Sequence, residues 1–510
     1  MAIALPAILS CASCAREALD RHSSPVDAGF GFVPEPPRVN TNVDILFMID
    51  DSSSMTAMQQ KLLAQLPTFM QTLQALPMGL PSVHISVVSS DMGAYSDQGT
   101  AIGCSQMNGD DGLFQILPRG TCATNNFKIA TDTYITDNAS GTESNFTLAD
   151  PTGLATVFQC FALLGSTGCG FEHQLASIDH ALGSDNYDAM GNPQPPASNA
   201  GFVRDGAYLA IIMLTNEDDC SAPAETSLYS LNGGNQDLNN PLGPIANYRC
   251  NQFGHLCEDP NGPNPTILQA PPLNPPSDAT GPATAPTLSL TNCQSNDTES
   301  RMLTPVSKFI SDIKALKNDP DDQILVASIV GPTTPYTAEW LPAGPNSELW
   351  PQIEHSCSSD NGDGSFADPP VRIAQFVAAF GNNGVTASIC DDDYASSMKA
   401  IAARIGTLIN STCVGGTIQT DTNGNPSCEV ISQVTTGGAI KNIVVASCAD
   451  SGGSPPCWTL TPPDATNGCP AATRGLNVSA DPTNPNPDSS TSVIRCSICS
   501  AGVPNVPGCP

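Results

Sequence analysis

Apolar positions along this chain fall into two patterns that alternate. Short, nearly continuous runs occupy 44–49, 83–88, 208–214, 324–330 and 386–390. Their length and their Ile, Val, Leu and Met content predict strands buried on both faces of a sheet. Between these runs, apolar residues recur at helical spacing over 58–73, 171–182, 305–316, 371–380 and 394–408. In the first of these, Leu62, Leu66, Phe69 and Leu73 share one helix face. Strand alternating with helix predicts an α/β fold with a doubly wound, mostly parallel sheet. The run from Tyr208 to Leu214 is the most apolar and is expected at its centre.

Three long insertions interrupt the alternation, at about 92–160, 222–300 and 333–368. Their Gly, Asn, Asp, Pro and Thr content predicts loops and short strands. Beyond residue 412 the character changes: Cys413, Cys428, Cys448, Cys457, Cys469, Cys496, Cys499 and Cys509 sit among Pro, Thr, Asn and Gly. Short β-like runs at 443–446, 458–460 and 492–495 make residues 413–510 a small, disulfide-rich β module. Residues 1–42 read as an apolar leader and a polar linker containing Pro25, Pro34, Pro36 and Pro37. The body of the protein is then 43–412.

In a sheet of this kind the strand-to-helix turns emerge on one edge, and ligands bind there. Asp50, Asp91, Asn216 with Glu217, and Asp391 all stand directly after predicted strands. The first turn carries Asp50, Ser52 and Ser54 at alternate positions, so three oxygen side chains can face one point. Oxygen ligands suit a hard divalent cation: Mg²⁺, Mn²⁺ or Ca²⁺. Asp and Ser are also favoured N-cap residues, and the same letters fit an ordinary helix start. Asp391, Asp392 and Asp393 read mainly as caps and dipole complements. The stretch from Asp360 to Ser365 lacks the spacing and closing glutamate of a calcium loop and reads as a tight turn. His84, His173 and His180 read as structural or surface residues.

Asp50-x-Ser52-x-Ser54, in its strand-to-helix setting, resembles the metal-ion-dependent adhesion site of the von Willebrand factor A family. The resemblance covers about 43–412 and extends to insertion-rich bacterial surface lipoproteins of that family, through Ser89-Ser90-Asp91-Met92-Gly93 and Asn216-Glu217-Asp218-Asp219-Cys220-Ser221. It implies a Rossmann-like fold and a cation, Mg²⁺ first among the three, held by several loops. Ser52 and Ser54 are the implied direct ligands. Thr167, in a Gly-rich turn before a helix, is the implied direct or switching ligand. Asp50 and Asn216 would act directly or through water. The family usually has an aspartate where this chain has Asn216; Glu217 or Asp218 is available to restore the charge. An open coordination position would then capture a carboxylate of a protein or matrix ligand.

Composition narrows the function further. The 49 Asp and Glu against 18 Lys and Arg leave a net charge of −31, which repels nucleic acid and anionic lipid. Twenty cysteines without zinc-like spacing point to disulfides in an exported protein. Ile8-Leu9-Ser10-Cys11 is similar to a bacterial lipobox, so a lipid on Cys11 is the expected membrane attachment, with plain secretion as the alternative. The expected location is extracytoplasmic, as an outer-membrane or cell-surface lipoprotein. No nucleophile–His–Asp set, His-Glu-x-x-His pair or phosphate loop is visible, so the chain is not expected to be an enzyme. Adhesion through a bound cation is the favoured reading. The alternatives are a surface scaffold with a degenerate site, which Asn216 favours, and a metal-dependent hydrolase using Asp91 or Glu217 as base.

Overall fold

The computed structural model describes residues 42–496, apart from 77–78, 97–98, 101–103, 105–107, 120–132, 147–152, 205–206, 231–237, 239–240, 299–300, 318–319, 344–347, 410–412, 415–417, 422–423, 437–438, 461–473 and 480–488. The leader with Cys11, the linker to residue 41, Cys469, Cys499 and Cys509 lie outside the described residues.

Five parallel strands and one antiparallel edge strand form the central sheet. Their spatial order is Gly384–Ser388, Ile324–Val330, Tyr208–Leu214, Val43–Ile49, Val83–Ser89 and Ile135–Asp137. Strand Val43–Ile49 pairs in parallel register with both neighbours, Ile49 lying opposite Ser89 on one side and Leu214 on the other. Alternation along this strand sorts its side chains into two cores. Ile45, Phe47 and Ile49 pack with helices Thr56–Gln74, Gly153–Ala162 and Ala395–Ile409. Leu46 and Met48 pack with helices Gln174–Leu182, Val306–Ala315 and Val371–Ala378. Helices thus cover both faces, and that is why the strands carry apolar residues without a polar side. From Val43–Ile49 the chain moves outward to Val83–Ser89, then returns to place Tyr208–Leu214 on the opposite flank. The winding direction therefore reverses between Val43–Ile49 and Tyr208–Leu214, and in open α/β sheets the crevice that takes ligands lies beyond the C-terminal strand ends at such a point.

Helix Thr56–Gln74 contains Pro67, which has no N–H to offer the Leu63 carbonyl four residues earlier. Gln159, from helix Gly153–Ala162, donates its Nε2 to that carbonyl at 2.7 Å. Phe158 of the same helix packs on Phe47 with ring centroids 4.8 Å apart. This second helix lies inside the first insertion, where loops and short strands were expected. Its residues are almost all apolar and nearly all are buried, so no polar face marks it as amphipathic.

The second and third insertions likewise combine. Strands Leu349–Ile353, Tyr336–Pro342, Thr287–Ser295 and His255–Glu258 form one four-stranded antiparallel sheet, with Trp340 fully buried in it. The Asp363 turn is closed by its own backbone: Oδ1 accepts the Ser365 N–H, and Oδ2 pairs with Lys61 at 2.7 Å. Toward the C-terminus, six strands form a separate sheet around Val430, Val445, Trp458 and Ile494. Cys428–Cys496 and Cys448–Cys457 staple it.

At the N-terminal end of the central sheet, Asp44 is fully buried on a strand. Burial raises its pKa, against the lowering influence of Arg204 and Lys317. Arg204 donates Nε to Asp44 at 2.7 Å and its backbone N–H to the other carboxyl oxygen at 2.8 Å. The same guanidinium reaches the Val43 and Ser82 carbonyls at 3.0 Å each, so it ties two neighbouring strands together. Removing one partner of such a pair leaves a buried charge uncompensated. Arg204→Ala is expected to cost about 3 kcal/mol or more in urea unfolding. A loss below about 1 kcal/mol, the range of an exposed pair, would show that the network does not hold the strands.

Candidate functional site

At the crevice, strand Val43–Ile49 runs straight into Asp50, whose side chain is fully buried. One carboxyl oxygen accepts the Ser52 N–H at 2.8 Å and the Ser90 hydroxyl at 3.2 Å. The other accepts the Thr215 hydroxyl at 2.6 Å. Three strand ends, at Asp50, Ser90 and Thr215, therefore meet on one carboxyl group. Burial raises the Asp50 pKa, and these hydrogen bonds oppose the rise.

Above Asp50 the hydroxyls form a chain. Ser52 Oγ lies 3.2 Å from Ser54 Oγ, and Ser54 donates to Asn216 Oδ1 at 3.0 Å. Two residues 162 positions apart in sequence thus share one hydrogen bond. Asp368 donates its N–H to the Asn216 carbonyl at 2.8 Å and braces that turn from behind.

Thr167 is exposed, on a loop anchored on both sides of it. Gln59 donates Nε2 to the Asp50 carbonyl at 2.8 Å and to the Gly165 carbonyl at 2.6 Å, and accepts the Gly165 N–H at 3.1 Å. Gly168 donates its N–H to the Asp51 carbonyl at 2.8 Å. A Cβ on Gly168 would collide with the Asp51 carboxylate, so a larger residue there would force that carboxylate to move. The Thr167 and serine turns are thereby held side by side. Disulfides Cys104–Cys169 and Cys220–Cys250 follow the Thr167 and Asn216 turns and enter one small core with Phe171, Leu228 and Tyr229.

Other acids near the motif have different employment. Asp218, considered as a replacement for the missing carboxylate at Asn216, accepts the N–H groups of Arg372 and Ile373 at 2.8 and 3.1 Å and pairs with His255. It caps helix Val371–Ala378. Asp219 accepts the Leu175 N–H at 2.9 Å and forms a buried pair with Arg372 at 2.9 Å. Asp391 offers its carbonyl to Lys61, and Asp393 accepts the Ala395 N–H at 2.8 Å as a cap. Glu217 turns its carboxyl toward Glu172 and toward the Asn247 amide, which donates to it. Of the expected site residues, then, Asp50, Ser52, Ser54 and Asn216 are linked directly. Thr167 lies on the loop bound to them, and Glu217 stands behind Asn216.

Several contributors were not legible from the motif. Thr215 and Ser90 hold Asp50, and Gln59 holds the Thr167 loop. Strand-end hydroxyls beside acids were a usable signal for the first two; nothing in a helical glutamine marks the third.

The electrostatics are one-sided. Asp51 is pushed up to about 8 by burial, then by Asp50, Asp91 and Asp110. Glu217 is pushed up to about 8 by burial, then by Asp368 and Asp50. Asp51 Oδ1 is buried and has no hydrogen-bond partner among the described residues. A buried acceptor without a donor is rare, and an ordered water or a bound cation would satisfy it. Among the described residues no three His, Cys, Asp or Glu side chains converge as a metal centre. A cation here would depend on hydroxyl and amide oxygens as much as on carboxylates. Oxygen-only donors around a buried acid fit a hard divalent ion.

The frame around the site has its own pH dependence. His173, buried at the start of helix Gln174–Leu182, lies with Nε2 2.8 Å from the Tyr229 hydroxyl. That hydroxyl donates its one hydrogen to the Cys220 carbonyl, so His173 is the donor to Tyr229. Burial lowers the His173 pKa from 6.5 to about 4. Between these values the unfolded chain binds a proton that the folded chain does not, so stability is full above pH 6.5 and falls as pH drops. Urea unfolding of wild type should lose about 2 kcal/mol more than His173→Gln between pH 7 and pH 5. Parallel pH profiles for the two proteins would contradict this.

Neither a family model nor a curated protein matches the chain. Among the solved structures similar to it are two pilus adhesins and a pili tip protein. The open conformation of SpaC from Lactobacillus rhamnosus GG matches with a TM-score of 0.29 and 11% identity, over 90% of this chain and 40% of that one. RrgA from Streptococcus pneumoniae matches with a TM-score of 0.26 and 10% identity, over 89% and 56%. The three N-terminal domains of the type V pili tip protein Mfa5 from Porphyromonas gingivalis match with a TM-score of 0.27 and 10% identity, over 89% and 61%. This chain thus spans between 40% and 61% of the length of these three structures.

Proposed function

We propose that this is an exported adhesion protein of the von Willebrand factor A type. Its crevice holds a divalent cation, Mg²⁺ by preference, and through it a carboxylate of a protein or matrix ligand. Ser52 and Ser54 are the direct ligands, and Thr167 closes the seat from the neighbouring loop. Asp50 and Asn216 orient these oxygens or the water between them and the ion, and Glu217 adds charge from behind. When bound, the ion supplies a Lewis-acidic position that a partner's carboxylate completes.

One observation carries the reading: the Ser52–Ser54–Asn216 oxygen chain lies over buried Asp50 at the crevice between the two central strands. Fixed oxygens need little reorganisation to take an ion. Six disulfides among the described residues favour an oxidising, extracytoplasmic setting. Among the described residues no helix is long and apolar enough to cross a membrane. A lipid on Cys11 would supply attachment.

Asn216 supports a second reading, a surface scaffold whose site no longer binds metal, because an amide adds no charge where the family usually has a carboxylate. Calorimetry with Mg²⁺ and Mn²⁺ separates the two. Adhesion requires that wild type bind, that Ser52→Ala with Ser54→Ala lose at least tenfold in affinity, and that Asn216→Asp gain about tenfold. Wild type without measurable binding, restored by Asn216→Asp, would establish the scaffold instead.

A further inference from the structure

Helix Thr56–Gln74 begins directly after the serine turn, so whatever fixes the helix fixes Ser52 and Ser54 with it. Met55, at the helix start, donates its N–H to the Ser52 carbonyl at 3.2 Å, and Gln59 donates its own to the Met55 carbonyl at 2.9 Å. Further along the helix stands Lys61, whose side chain is only 10% exposed. Its ammonium donates to the Asp391 carbonyl at 2.7 Å, pairs with Asp363 at 2.7 Å and lies 5.7 Å from the centre of the Tyr394 ring.

The two acids that Lys61 reaches belong to segments joined by a disulfide. Asp363 lies at the tip of a hairpin whose strands are Cys357–Ser358 and Phe366–Ala367. Cys357 is bonded to Cys390, the residue before Asp391. The base of the hairpin packs on the backbone of Gly331, just after strand Ile324–Val330. A Cβ added there would come within 2.8 Å of Ala367 and of the Asp368 carbonyl. From this base Asp368 donates its N–H to the Asn216 carbonyl at 2.8 Å. Arg372 and Ile373, which follow, donate theirs to Asp218 of the same turn at 2.8 and 3.1 Å. One end of the hairpin is thus fixed to the Asn216 turn, and the other to the helix that carries the serines.

We propose, on the reading of the crevice as a cation seat, that Lys61 is a positioning residue for it: through this hairpin Lys61 sets the span between Ser54 and Asn216. Those two side chains touch through a single hydrogen bond of 3.0 Å. Binding groups must be held to within about 0.5 Å of their working geometry, so a loosened helix costs affinity. The charge of the ammonium acts in the opposite sense. A positive group on the protein repels a divalent ion, so a lysine acting by its field alone would weaken binding, and its removal would tighten it. Positioning and field therefore predict opposite signs for one substitution.

Lys61→Met keeps most of the length of the side chain and removes its polar attachments. In calorimetry of the full chain with Mg²⁺ it should bind about fivefold more weakly than wild type, or worse. Lys61→Arg, which keeps the charge and the donors, should stay within about twofold of wild type. Asp363→Asn, on the exposed tip, should weaken Mg²⁺ by itself and add nothing to Lys61→Met, because the two residues act through one contact. Unchanged or tighter binding by Lys61→Met, no recovery in Lys61→Arg, or full additivity with Asp363→Asn overturns the proposal. Hydrogen exchange of the metal-free chain gives a reading that needs no ion. The Met55 and Gln59 amides should exchange about threefold faster, or more, in Lys61→Met, and unchanged exchange overturns the proposal. Wild type that took no Mg²⁺ would remove the cation reading instead, and the exchange result would then decide the positioning by itself.

Discussion

The crevice depends on the buried Asp50 carboxyl and the three strand ends that converge on it. Thr215 and Ser90 approach from the two neighbouring strands, and Ser52 approaches from the turn that Asp50 itself begins. A carboxyl buried this deeply is tolerated because each oxygen accepts a short hydrogen bond. Asp50 therefore fixes the spacing of the turns as well as standing beneath the hydroxyls. Gln59 extends that control by bonding the Asp50 carbonyl and both backbone groups of Gly165.

The acids of the core divide into two populations. Asp44, Asp218 and Asp219 each face a basic or imidazole partner: Arg204 with Lys317, His255, and Arg372 respectively. Their work is structural, holding strand beginnings and helix N-termini in place. Asp51, Glu172 and Glu217 instead face other acids. In a chain with net charge −31, lysine and arginine are scarce. Arg204, Lys317 and Arg372 are placed where the fold is assembled, while Asp51, Glu172 and Glu217 are left among acids. That division separates framework from binding surface more clearly than the sequence does.

The insertions brace the turns of the rim. Cys104–Cys169 and Cys220–Cys250 leave the Thr167 and Asn216 turns and enter one apolar cluster with Phe171 and Tyr229. His255, from the second insertion, reaches back to Asp218, and its other ring nitrogen lies 2.8 Å from Tyr336 of the third. Segments that read as loops are thus tied by disulfides and buried hydrogen bonds to the acids that follow strand Tyr208–Leu214.

Local pattern was enough to determine the five parallel strands, the helices between them and the Asp50–Ser52–Ser54 turn. Burial on two faces imposes unbroken apolar runs, and helix burial imposes a period of 3.6. Helix Gly153–Ala162 escaped that reading because it is apolar nearly all round, and the four-stranded antiparallel sheet escaped because its strands come from two separate insertions. Only the tertiary structure decided which acids are paired. Asp218 and Asp219 look equivalent to Glu217 in sequence, yet two of the three cap helices that begin more than forty and one hundred and fifty residues away. Which partner a carboxylate meets is set by where distant parts of the chain cross, and no local preference of the residue itself records it.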